Sequence, residues 1–102
     1  MAYDYAREKF WQAVDTLATS DRSIQERLAG AALYLSRLHR PDEDLPEDLR
    51  EEFKALWHEL TKEPAVEDEG TINATTRKLT AEQGKALASQ VFSIYTRLHG
   101  GI

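Results

Sequence analysis

The chain has 102 residues, 41% of them hydrophobic and 30% charged, with a net charge of −5; this is the size and composition of one folded domain with a small core, not of a disordered segment. It has no cysteine, which excludes disulfides, thiolate catalysis and cysteine-ligated zinc. No window approaches the roughly 18 apolar residues needed to cross a bilayer, and the opening MAYDYAREKF carries charge where a secretory leader has an apolar core, so a soluble cytoplasmic protein with no membrane partner is expected.

Charge is unevenly spread. Residues 1–40 hold six Lys/Arg against five Asp/Glu, residues 41–70 three against twelve, and residues 71–102 four against one. An acidic middle between weakly basic ends disfavours binding to nucleic acid through that middle and gives it cationic surfaces to seek, in its own flanks or on a partner.

A first helix is predicted over residues 3–18, where Tyr3, Ala6, Phe10, Ala13, Val14 and Leu17 recur at three- and four-residue steps and Trp11 widens the stripe. The string TSDRS then supplies turn chemistry. Ser23, with Glu26 three residues on, forms a capping box that opens a second helix over 24–39. Its stripe of Ile24, Leu28, Ala31, Leu35 and Leu38 is supplemented by Ala29, Ala32, Leu33 and Tyr34, so it should be the most buried helix. The small residues at 29–32 would let a neighbour approach closely, and Pro41 should end the helix.

A third helix is expected over 46–62, with Pro46 in its first position and Asp44, Glu47 and Asp48 at the positive end of its dipole. Leu49, Phe53, Leu56 and Leu60 form its buried stripe, flanked by Trp57. A structureless connector reaching to residue 79 would be unusually long. We therefore read EDEGTINATTRKLT as the start and body of a short helix over 71–78, capped by Gly70-Thr71, with Ile72, Thr75, Thr76 and Leu79 on one face. Thr80 and Gln83 form a second capping box for the last helix, 81–98, whose stripe is Leu87, Val91, Ile94 and Leu98; Gly100-Gly101 ends it. No stretch alternates as a strand does. The fold class is all-α: four main helices and one short one in a single domain, residues 1–102.

Sites of chemistry are scarce. Asn73-Ala74-Thr75 matches the glycosylation sequon, but without a secretory leader it would not meet the modifying enzyme. His58 has Lys54, Ala55, Thr61 and Lys62 at its helical contact positions, so it gains no second ligand there, while His39 and His99 read as caps in final turns. DEDLPED resembles a calcium loop only in charge: from Asp42, the positions needing Gly and Glu hold Glu47 and Phe53. No nucleophile elbow or phosphate-binding glycine loop occurs, so neither catalysis, metal nor cofactor is expected. Arg22, Arg27, Arg37 and Arg40 could line one helix, but a helix that apolar would not lie exposed in a groove of nucleic acid.

The aromatic residues are the remaining signal. Trp11, Trp57, Phe92, Tyr95 and Tyr34 lie on or beside stripes that are already adequate. Apolar surface left over with aromatic anchors is what a helix–helix interface requires. The reading is a small non-enzymatic interaction or regulatory domain, self-associating as a homodimer or binding a protein partner. Trp11 and Trp57 are its anchors, and Glu47, Asp48, Glu51 and Glu52 in the acidic segment steer the partner. The alternative is a bundle in which the same aromatics line an internal pocket for a small apolar ligand.

Overall fold

The computed structural model describes residues 3–65 and 69–100. Six helices follow one another: α1 Asp4–Thr19, α2 Ile24–Leu35, α3 Pro41–Asp44, α4 Glu47–Thr61, α5 Gly70–Thr76 and α6 Ala81–Leu98. Among the described residues there is no strand, and the all-α bundle is as read from the sequence.

The helices pack in a ring. The short α1–α2 connection makes these two antiparallel, and the Arg27 side chain closes the turn by donating to the carbonyls of Leu17 (2.9 Å) and Arg22 (3.0 Å). α6 runs back along α1, where Arg7 Nε donates to the Leu98 carbonyl at 2.7 Å. α4 lies beside α6, tied by the Arg97–Glu52 ion pair, and α5 spans from α4 to α2, with Gln25 donating to the carbonyl of Leu79 at 2.9 Å. Phe10 of α1 meets Phe53 of α4 edge to face at the centre, with ring centroids 5.9 Å apart. The stripes read for α4 and α6 are buried as complete sets, together with Ala6, Phe10 and Ala13 of α1.

Where the structure departs from the sequence reading, local chemistry explains it. α2 stops at Leu35 instead of 39. Ser36 Oγ bonds the Leu33 carbonyl, and the amides of Arg37 and Leu38 take carbonyls three residues back, so the last turn tightens and breaks off. Pro41 does more than end that helix. It occupies the first position of the one-turn α3, where its missing N–H costs nothing, and α3 delivers fully buried Leu45 into the core. Pro46 is the N-cap of α4, extended at ψ 152°, and not its first helical residue. The cap of α5 is Glu69; Gly70 follows it at φ +81°, a conformation other residues rarely adopt.

The two expected capping boxes form to different degrees. Thr80 and Gln83 make both reciprocal bonds. At α2, Ser23 Oγ accepts from the Glu26 amide, but the Glu26 carboxylate takes the Ser23 hydroxyl and Arg22 in place of the backbone N–H. Nor is α2 buried all round. Leu33 is 62% exposed and Tyr34 is also open, because α1, α5 and α6 cover one side of the helix and nothing among the described residues covers the other. The close approach expected at 29–32 does occur: a Cβ on Gly30 would stand 3.1 Å from Thr16 Cγ2 of α1.

Candidate functional site

The two tryptophans read as anchors lie on different surfaces. Trp57 sits on the flank of α4 that faces the end of α2, half-buried and stacked on Phe53 with centroids 6.3 Å apart and planes 13° from parallel. That stack forms one wall of a hollow of about 400 Å³. Leu35, Leu38 and Pro41 add apolar lining, and Ser36, His39, Lys54, His58 and Thr61 add polar groups. The hollow is open to solvent, so these aromatics line a surface cleft.

Trp11 belongs elsewhere. It follows Arg7 by one helical turn, on the flank of α1 that borders α6, and is 54% exposed. On α6, helical phase places Phe92, Tyr95 and His99 on the side away from Arg97, which reaches α4. Phe92 contacts Tyr95 (6.1 Å between centroids) and Tyr95 contacts His99 (4.4 Å), forming a continuous aromatic edge along the α1–α6 seam. Phe92, like Trp11, is 54% exposed. Of the two aromatics that the spacing sets on or beside the α6 stripe, Phe92 is mostly surface and Tyr95 packs partly against the core.

The acidic residues divide as well. Glu47 and Asp48 are exposed at the start of α4. Glu51 shares Lys54 with Asp42, at 3.4 and 3.0 Å, and these bonds, Asp42 first, hold the Lys54 ammonium above its ordinary pKa. Glu52 is taken by Arg97, whose pKa is raised chiefly by that bond, with a smaller contribution from Asp48. The basic C-terminal segment thus folds back over part of the acidic one, also through Lys78–Glu63 (3.0 Å) and Arg77–Glu69 (2.9 Å). Glu67 and Asp68 lie outside the described residues.

The histidine reading is altered by the fold. His99 Nδ1 lies 3.0 Å from the Tyr95 carbonyl, the cap position read for it. His39 lies beyond the end of α2 and lines the Trp57 hollow together with His58. No helical spacing could have paired these two, since they come from different elements. Among the described residues no group of three or more His, Asp or Glu side chains is placed to hold a metal ion. No helix there is long and apolar enough to cross a membrane. In the sequon, Asn73 is exposed but Thr75 is buried, and its hydroxyl accepts the amide of Glu63 at 3.0 Å.

Compared with known proteins, the chain matches no family model, no curated protein and no solved structure.

Proposed function

We propose that this chain is a small non-enzymatic interaction domain that associates with itself through the α1–α6 face, with Trp11 and Phe92 as anchors. The observation that carries the reading is the placement of these two rings. The core is filled by other residues, yet both stand more than half in solvent on one seam. Large aromatic side chains supply much of the binding energy in interfaces when a partner covers them. Glu47 and Asp48, which unlike Glu51 and Glu52 are exposed at the start of α4 with no ion-paired cation among the described residues, contribute long-range attraction. Sedimentation velocity over a range of concentrations tests the reading. Parent protein should move from monomer to dimer while Trp11→Ser and Phe92→Ser remain monomeric. A parent that stays monomeric throughout, with acrylamide quenching unchanged, overturns self-association.

A second reading rests on the Trp57 hollow, whose volume lies within the range of small-molecule sites and whose wall is an aromatic stack. A small apolar ligand would bind against Trp57 and Phe53. Native mass spectrometry of protein taken from its source cells, with a Trp57→Ala comparison, tests it: a retained mass lost in the variant supports the ligand, and an empty parent opposes it.

A further inference from the structure

On the opposite side of α1 from Trp11, the α1–α2 seam carries a groove of about 440 Å³ lined by Lys9, Thr16, Gly30, Leu33, Tyr34 and Arg37. We propose that this groove docks an acidic amphipathic helix of a protein partner, with an apolar side chain against Leu33 and Tyr34 and a carboxylate on Arg37. This goes beyond self-association, because it uses a different face and a different occupant.

Charge identifies the occupant. Among the described residues every other lysine and arginine has a carboxylate or a backbone carbonyl within bonding distance. The Arg37 guanidinium has neither, in a chain with more acidic than basic groups. A second cation stands in the same groove: Lys9 Nζ lies 5.3 Å from the centre of the Tyr5 ring and 3.1 Å from Gln12 Oε1. Its neighbour Glu8, at 3.3 Å, is largely exposed and screened by water. An arginine beside exposed tyrosine and leucine is a composition suited to a carboxylate-bearing apolar segment.

Shape sets the size. α1 and α2 are antiparallel, so the groove runs from Thr16 and Gly30, past the apolar Leu33 and Tyr34, to a cationic end at Lys9 and Arg37. The seven-residue separation of Lys9 and Thr16 corresponds to about 10 Å of helix, two turns. A docked helix would therefore place its apolar residue and its carboxylate one to two turns apart on one face. Two cations are too few to hold a nucleic-acid backbone strongly.

The test is fluorescence anisotropy with a labelled amphipathic peptide of Leu, Ala and Glu, its leucines at three- and four-residue spacing. Binding to the parent should weaken about tenfold with Arg37→Gln, comparably with Leu33→Ser, and steadily with added salt. Circular dichroism confirms that both surface variants keep their helices. No binding to the parent, equal affinity for the same peptide with Lys for Glu, or unchanged affinity in Arg37→Gln each overturns the proposal. So does capture by phosphatidylserine vesicles without peptide binding, which would make the groove a lipid-binding surface. Sedimentation separates the two readings. Arg37→Gln should leave self-association intact, and a monomeric parent that still binds the acidic peptide overturns only the dimer.

Discussion

Arg97 near the end of α6 and Glu52 in α4 form an ion pair that ties the last helix to the acidic segment. Each side chain is 38% exposed, so water and salt screen much of the attraction. A double-mutant cycle with Arg97→Gln and Glu52→Gln should give a coupling of about 0.5 kcal/mol in urea unfolding, shrinking in high salt. Coupling above about 2 kcal/mol would mean the pair behaves as a buried one.

A tighter contact lies at the other end of α6. A Cβ on Gly84 would stand 3.1 Å from both Cγ1 and Cγ2 of Ile24, and Gly84 is itself buried. Alanine gains about 1 kcal/mol of helix propensity over glycine, but here it must displace a branched side chain at two atoms. Gly84→Ala should therefore be destabilising by about 1 kcal/mol net, the overpacking outweighing the propensity. Gly30→Ala meets one atom, Thr16 Cγ2, on a side chain held by its bond to the Gln12 carbonyl at 3.0 Å. It should fall within about 0.5 kcal/mol of the parent. Thermal unfolding of the two variants side by side checks the order, and a stabilised Gly84→Ala would show that Ile24 moves aside freely.

The contrast between these glycines and the faces around them shows what could be read from the chain. Four long helices were legible because their apolar residues recur with helical period, and α6 was legible to its ends because Thr80, Gln83 and Gly100 punctuate it. α3 was not, since one turn has no period, and Leu45 belongs to no stripe although it is fully buried. The outer face of α2 was read as covered because composition reports how apolar a helix is, not how many neighbours reach it. Trp11 and Trp57 looked alike beside their stripes. Only the order of helices around the ring sends one to the α6 seam and the other to the hollow that joins His39 with His58.

Thr75 tests whether the threonine-rich segment is structural. Its buried hydroxyl accepts the Glu63 amide just after α4, so it holds the end of that helix against α5. Thr75→Val keeps the shape but removes the acceptor, and should cost about 1–2 kcal/mol. Thr75→Ser keeps the acceptor and loses a buried methyl group, at about 1 kcal/mol. The deciding readout is hydrogen exchange at the Glu63 amide: faster in the valine variant, near the parent rate in serine. Equal rates in all three proteins would remove Thr75 from this role.

The ion pairs at the helix ends make stability respond to acid in a defined direction. Arg22, and then Ser23, hold the Glu26 carboxyl below the ordinary glutamate value of 4.5, and Lys62 does the same for Glu59. A carboxylate with a depressed folded-state pKa contributes stability that is fully present above its unfolded value and is lost as pH falls through the folded one. Both side chains are about half exposed, so water screens the attraction and each effect is small. Lys54 behaves in the opposite sense. Its raised pKa gives a contribution present below the ordinary lysine value of 10.5 and lost as pH climbs through the folded value. Thermal midpoints should thus be flat across neutral pH and fall at both extremes. Glu26→Gln should melt slightly below the parent at neutral pH, with the gap closing below about pH 4 as the parent carboxyl also takes its proton. A gap that persists undiminished in acid would mean that Glu26 acts through its cap with Ser23 and not through its charge.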